Sequence, residues 1–441
     1  MSQPTLSPPP TPARSRDTFP SRTEAEVPPV RPAPPGAPPA FPDVSNEPPE
    51  IAVAALVEHA VDVGCSDLFF TADDEGLTIK VRHLGLIRDL ARLSEELGRR
   101  CQGHIKANSS VDWGERRRPL DGRWIYRRRD GRVTDLRIGV IPTLHGEDIA
   151  MRLLSRDSAL LQLDRLGMST EQLSNYETMI DSPGGLVLIT GPTGSGKTST
   201  LYASLVRLNS GTRKINTIED PVEYAIAGLH QSQVNPMIDL GFAELLRSVL
   251  RQNPDIIMLG EIRDPETAQL AVHAANTGIL VLATLHAQSA SGAIQSMRSL
   301  GAHPHLLASS LRGVVAQRLV RTLCPHCLTT FDLSDAPHTF GDVRRRLKDD
   351  EGRLLHAASG CPACSMTGFT GRTGVFEVLT ATPALRDLVA NARPAAEVHA
   401  QALADGMLPF RHAALLQVAR GHTTTEEIFR AIPTEQLLPG T

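Results

Sequence analysis

The stretch LVLITGPTGSGKTST, residues 186–200, decides the fold. Residues 186–190 form a short apolar strand, and residues 191–198 fit GxxxxGK[ST], with Gly191, Gly196, Lys197 and Thr198 at the fixed positions. Glycines let such a loop fold back so that its backbone N–H groups cradle phosphates. A helix that follows the loop turns its positive N-terminal end toward the same anion. Gly191, Pro192, Thr193, Gly194, Ser195, Gly196, Lys197, Thr198 and Ser199 are therefore the expected nucleotide cradle. Lys197 is expected to reach the β- and γ-phosphates and Thr198 to ligate Mg²⁺. By residue frequencies the pattern arises by chance in on the order of one chain in a hundred.

In open α/β sheets a ligand lies outside the carboxyl ends of the strands. Three further apolar runs end in polar residues. KINTIEDPVEY (214–224) carries Glu219, Asp220 and Glu223, DIIMLGEIRD (255–264) carries Glu261, and ILVLATLHA (279–287) carries Thr284 and His286. Singly, an acid after a strand is often a helix cap. Jointly, four strand ends carry the parts that phosphoryl transfer needs: positioned water, a metal and positive charge. Glu261 is expected to hold Mg²⁺, directly or through water. Glu219 is expected to orient or deprotonate the attacking water, with Glu223 in reserve. His286 is expected to sense the γ-phosphate and pass the signal to the next segment.

The rest of the chain bounds this reading. Its 441 residues are enough for two or three domains, and 41% hydrophobic residues allow a sizeable core. Aromatic residues at 4% argue against stacking platforms for single-stranded nucleic acid, and a net charge of −4 argues against a polycation seeking DNA or lipid. No apolar run approaches the roughly 20 residues needed to cross a bilayer. The N-terminus lacks the short apolar core of a secretory signal. A cytosolic protein is expected, touching membrane only through partners and nucleic acid not at all.

Residues 1–49 hold nearly half of the 33 prolines and cannot bury a core, so an extended or disordered tether is expected. A small α+β domain is expected over 50–158. It has a helix in IAVAALVEHAVDVG, strands in TIKVRH and LIRDL, a helix in LSEELGRRCQGHIKANS, and a DG turn between strands in WIYRRRDGRVTDLRIGVI. From 159 to 322, short apolar runs alternating with helices mark a mostly parallel α/β sheet. An inserted lobe is expected over 323–375 and a helical region over 376–441. CPHC (324–327) and CPAC (361–364) place Cys324, Cys327, Cys361 and Cys364 at the spacing of a tetrahedral Zn²⁺ site, with all four positions filled and none open for catalysis. A disulfide is the alternative, weakened by the cytosolic reading. His326 is a competing ligand, and Cys65 and Cys101 read as plain buried thiols.

These stretches resemble the secretion ATPases of type II secretion systems and type IV pili, the GspE/PilB-like family. The resemblance rests on the P-loop GPTGSGKTS, the acidic box TIEDPVEY, the Walker B region LRQNPDIIMLGEIRDPETA, the histidine box LATLHA and the run QRLVRTLC. It implies a RecA-like P-loop core with a smaller PAS-like N-terminal domain, a zinc lobe and a C-terminal helical region. It also implies a homohexamer that hydrolyses ATP with Mg²⁺ at the cytoplasmic face of the inner membrane. There it pushes on a membrane platform protein so that pilin-like subunits are assembled or removed. Arginines from the N-terminal domain, matched by Arg137 and Arg152, are implied to reach the nucleotide, as are Arg247 and Arg251 in LLRSVLRQNPD. Arg116–Arg118 are expected at a subunit interface or on a solvated face. Assembly-type members carry such a tetracysteine motif and retraction-type members generally lack it, which favours assembly or secretion over retraction. A DNA-transfer ATPase is the other alternative. Two departures stand out: the proline-rich tail takes the place of a folded docking domain, and CSDLFFTADD (65–74) replaces an SDIHIEP-like stretch.

Overall fold

A computed structural model describes residues 42–154, 162–336 and 338–438. The expected proline-rich tether falls mainly on residues 1–41, outside the described residues. Of its last part, Val44 is buried in the first core and the first helix already starts at Pro49.

The N-terminal elements are α1 (Pro49–Asp62), β1 (Cys65–Asp73), β2 (Gly76–His83), β3 (Leu86–Leu93), α2 (Glu95–Asn108), β4 (Leu120–Arg127), β5 (Val133–Thr143) and β6 (Gly146–Leu154). The strands form one sheet in the order β3-β2-β1-β6-β5-β4, antiparallel throughout. Ser94 starts α2 by accepting a hydrogen bond from Leu97 N. Alternation decides which face is buried. Leu68 and Phe70, Ile79 and Val81, Leu136 and Ile138, and Met151 and Leu153 join α1 and α2 in one core. The intervening residues face the other way. On that face Arg137, Arg152, Asp67 and Arg82 stand side by side across four strands.

The second sheet carries the chain's P-loop. Its elements begin with α3 (Thr170–Ile180), β7 (Gly185–Thr190), α4 (Lys197–Leu208), β8 (Ile215–Glu219), β9 (His230–Gln233), α5 (Phe242–Leu250), β10 (Ile256–Leu259), α6 (Pro265–Asn276) and β11 (Leu280–Leu285). They continue with α7 (Ala290–Ser299), α8 (Pro304–Ser310) and β12 (Leu311–Leu323), then the small hairpin β13 (Thr329–Asp332) and β14 (Leu354–Ala357), and β15 (Phe369–Thr380). The strand order is β15-β12-β7-β11-β10-β8-β9, parallel except for β15. Every residue of β7, β8, β10 and β11 is buried, which is why β7, β10 and most of β11 read as continuous apolar runs, while β8 buries Asn216, Thr217 and Glu219 beside its two isoleucines. Neighbours still divide between two cores. Leu186 and Leu188 pack on the side of α5 to α8, and Val187 and Ile189 on the side of α3 and α4.

The C-terminal helices α9 (Pro383–Ala390), α10 (Ala395–Ala404), α11 (Phe410–Ala419) and α12 (Thr425–Ala431) share the first of these cores, through Leu385, Val398, Phe410 and Ile428. The expected boundaries at 323–375 and 376–441 therefore shift. β15 pairs with β12 along its length and belongs to the large sheet, so the cysteine-bearing insert ends before Phe369. Helices begin only at Pro383.

Candidate nucleotide site

β7 delivers the chain into the P-loop and α4 takes it out. Gly191 has φ +149°, and a Cβ there would meet Gln317 O at 2.5 Å and Ser195 Oγ at 2.6 Å. Gly196 caps α4 in the left-handed region, φ +91° and ψ 16°. Lys197 Nζ donates to Gly191 O at 2.8 Å and to Pro192 O at 3.1 Å. Burial lowers its pKa, Glu261 opposes that shift and Arg318 adds to it. Ser195 Oγ is buried inside the loop without a hydrogen-bond partner, as an acceptor group from a phosphate would require. Pro192, Thr193, Gly194 and Thr198 are exposed along the loop, and Ser199 is half-buried.

Neighbouring strands hold the loop in place. Gln317 on β12 donates Nε2 to Ser195 O at 2.7 Å and accepts at Oε1 from Thr200 at 2.9 Å. Thr190 Oγ1 accepts from Ala287 N at 2.7 Å, which ties the end of β7 to the segment containing His286.

The register puts the other strand ends beside it. Leu285 pairs with Thr190, and Leu259 lies opposite both Ala283 and Ile218. Glu261 is mostly buried. Its Oε1 lies 2.8 Å from His286 Nε2 and its Oε2 lies 2.6 Å from Arg263 Nη2. Arg263 also reaches Asp220 Oδ2 at 3.7 Å, spanning the ends of β10 and β8. His286 is 48% exposed. Thr284 turns inward instead, donating to Gly260 O at 2.5 Å.

Glu219 is enclosed by its neighbours. It is 3% exposed, and both oxygens are engaged: Tyr202 donates to Oε2, while Thr217 donates to Oε1 at 2.5 Å and Gln231 at 3.1 Å. These bonds tie the carboxylate to α4 and β9. Glu223 is freer. Its Oε2 makes no hydrogen bond and lies 3.6 Å from Arg137 Nη2.

The four arginines divide. Arg137 reaches across from the N-terminal sheet and donates to Val222 O at 2.8 Å, inside the acidic box. Arg152 stays on its own sheet beside Asp67, 3.5 Å away, and is 56% exposed. Arg247 pairs with Glu266, and Arg251 bonds Ser248. No hydrogen bond or ion pair joins Arg152, Arg247 or Arg251 to the P-loop among the described residues.

The cysteines gather into one cluster. All four Sγ atoms lie within 4.8 Å of one another, with neighbouring separations of 3.7, 3.8 and 3.9 Å. A tetrahedral Zn²⁺ with bonds of about 2.3 Å would set its ligands about 3.8 Å apart, so the group fits that ion. All six cysteines are free thiols, so the disulfide alternative has no support in the geometry. Backbone N–H groups of Cys361 and Gly368 point at Cys364 Sγ from 3.2 and 3.1 Å. Burial opposes them, yet they and the neighbouring thiols hold Cys364 down at about 7. His326 is not part of the cluster.

Sequence reasoning missed Gln317, Thr190, Tyr202 and Arg263. Only Arg263 carried a local signal, as the residue two after the acid of GEIRD.

Comparison with known proteins agrees with this architecture. The family described as "Type II/IV secretion system protein" matches residues 43–430. Type II secretion system ATPase E of Vibrio cholerae is 41% identical over 380 residues, covering 86% of this chain and 74% of that protein. Type II secretion system protein HxcR of Pseudomonas aeruginosa is 43% identical over 378 residues, covering 86% and 76%. Among solved structures, the Legionella pneumophila ATPase DotB aligns with TM-score 0.66 at 20% identity, covering 89% of this chain and 98% of that one. The pilus retraction motor PilT with bound ADP aligns with TM-score 0.60 at 23% identity, covering 88% and 99%. At these identities the structural likeness carries the fold alone.

Proposed function

The chain belongs to the type II/IV secretion system protein family, and from that premise we propose that it is the ATP-hydrolysing motor of an export machine. It drives pilin or pseudopilin assembly in a type II secretion system or type IV pilus. Relatives near 40% identity that bear the name type II secretion ATPase or protein E support secretion or assembly over retraction, and the tetracysteine cluster points the same way.

The observation that carries this reading is convergence: the P-loop, the acidic box, Glu261 and His286 stand at the carboxyl ends of four parallel strands in register. Loop N–H groups and Lys197 bind the triphosphate. Thr198 and Glu261 would hold Mg²⁺, which when bound would neutralise charge on the phosphates. Glu223 is better placed than Glu219 to orient or accept a proton from the attacking water. Glu219 instead braces α4 through Tyr202. His286, linked to Glu261, reports the γ-phosphate to α7. Arg137 supplies positive charge from the N-terminal domain.

Cys324, Cys327, Cys361 and Cys364 hold a structural Zn²⁺. Among the described residues no helix is long and apolar enough to cross a membrane. A homohexamer at the cytoplasmic face of the inner membrane, acting on a platform protein, goes with this assignment. The test is release of phosphate from ATP by the purified, assembled protein. Mg²⁺-dependent turnover that disappears in Lys197→Ala is expected. No turnover in an assembled sample, with or without Mg²⁺, would overturn the reading.

A further inference from the structure

Arg318, on β12, is 2% exposed and among the largest fully buried side chains. Its Nη1 donates to Gln317 O at 3.1 Å. Its Nη2 donates to Gln288 O and Gln288 Oε1, each at 2.8 Å, and to Gln436 Oε1 at 3.3 Å. The guanidinium carbon lies 5.0 Å from the centre of the Phe410 ring. Every one of these partners is neutral. No carboxylate lies within ion-pair distance among the described residues, and Glu377 acts on the group only from longer range. A buried cation without a paired anion is strongly unfavourable in a folded protein.

The surroundings show where a balancing charge belongs. Gln317 O, which accepts from Arg318, is the atom packed against Gly191, the first glycine of the P-loop. Gly191 O in turn accepts from Lys197. Arg318 and Lys197 thus both bear on the turn at Gly191, the first through Gln317 O and the second directly. Their mutual repulsion is felt at Lys197, whose pKa falls through burial first and Arg318 in addition.

We propose that Arg318 is a positioning residue for the nucleotide: a buried cation directly behind the P-loop whose charge is balanced by the phosphates the loop takes. It touches no phosphate. It acts through the loop, raising the positive potential at the cradle in a water-poor setting where such a charge is weakly screened. The same guanidinium fixes Gln288, two residues after His286, so the charge that favours phosphate also anchors the exit of the histidine box. This rests on the reading that the P-loop binds a nucleoside triphosphate.

Arg318→Met keeps an apolar stem beside Phe410 and removes the charge, and Arg318→Lys keeps the charge. A fluorescent ATP analogue titrated into full-length protein reads affinity, and thermal melting without nucleotide reads stability. Arg318→Met is expected to bind at least about tenfold more weakly, a difference well resolved by titration. Its nucleotide-free melting point should stay level or rise, because an unbalanced buried charge is gone. Arg318→Lys should recover most of the affinity. Equal affinity of Arg318→Met and wild type overturns the proposal. So does failure of Arg318→Met to fold, or a nucleotide-free melting point lower by more than about 5 °C with unchanged affinity, since either marks a purely structural residue. Wild-type protein that binds no analogue sinks the P-loop reading itself, a result distinguishable from the others because it needs no variant.

Discussion

His286 Nε2 lies 2.8 Å from Glu261 Oε1, so the end of β11 is fastened to the end of β10 through the side chain expected to hold the metal. The other carboxylate oxygen is held by Arg263 at 2.6 Å. Glu261 is therefore oriented from two sides, and any shift of its carboxylate is felt by His286 and by the segment that leads into α7. The same segment is tied to β7 by Thr190 and to β12 by Arg318. Contacts thus link the end of β10 to the segment leading into α7 and, through Arg318, to Gln436 and Phe410.

Glu261→Gln removes the charge and keeps the shape. Nucleotide binding should persist because the P-loop is intact, while steady-state hydrolysis falls by at least about 100-fold, the scale expected when charge stabilisation at the transferring phosphoryl group is lost. His286→Ala should lower turnover less and leave affinity within a few-fold. Binding by titration and turnover by phosphate release check both. Normal turnover in Glu261→Gln would mean the acid has been misassigned.

The two glutamates of the acidic box should separate by phenotype. Glu223→Gln should lose turnover by about 100-fold or more while melting normally, as loss of a general base does. Glu219→Gln should lower stability by about 1–3 kcal/mol, because an amide hydrogen would replace an oxygen that now accepts from Thr217 and Gln231 or from Tyr202. The reverse pairing, with Glu219→Gln stable but inert and Glu223→Gln active, would restore Glu219 as the base.

The different surroundings of Glu219 and Glu223 mark where the sequence stopped being legible. β7, β10 and β11 are readable because strands buried on both faces are largely apolar, and the polar residue near the end of each is conspicuous, whereas β8 also buries Asn216, Thr217 and Glu219. What a polar residue does once there depends on donors brought from elsewhere. Both oxygens of Glu219 are engaged, one by Tyr202 from α4 and the other in part by Gln231 from β9, neither of which any local pattern links to it. Gln317 and Arg318 sit inside β12, where a polar pair in an apolar run looks like surface until the P-loop is packed against it. β15 was hidden by Gly371, Gly374 and its charged residues, which break the strand signal. Arg137 was legible only through the resemblance, since its reach into the acidic box crosses a domain boundary.

Metal content should follow the thiol geometry. Protein purified without oxidation is expected to carry about one zinc per chain, seen by native mass spectrometry. Cys361→Ser should lose it and expose the insert between 328 and 360 to protease, while analogue binding at the P-loop stays within about twofold. The separation follows because a structural zinc site stabilises the lobe it closes, not a distant loop. Native, unoxidised protein with no bound metal would remove the zinc assignment.

Hydrolysis should depend on assembly. Within one chain the P-loop has Lys197 and the reach of Arg137 into the acidic box, while Arg152 is held by Asp67 on an exposed face and Arg247 and Arg251 bond elsewhere. A transferring phosphoryl group gains roughly 10³–10⁵ in rate from a well-placed arginine. In a closed ring of head-to-tail contacts, one chain's exposed face meets a different face of its neighbour. In such a ring Arg152, exposed and beside Asp67, would be open to a neighbour's nucleotide rather than to its own. Specific activity should therefore fall at least tenfold on dilution to monomer, followed by sedimentation alongside phosphate release, and Arg152→Ala should be inactive even when assembled. Mixing Arg152→Ala with Lys197→Ala should restore activity above the sum of the two, because one chain then offers the arginine and the other the loop. Full specific activity in a demonstrably monomeric sample, or no recovery on mixing two variants that co-assemble, would place every required charge within a single chain.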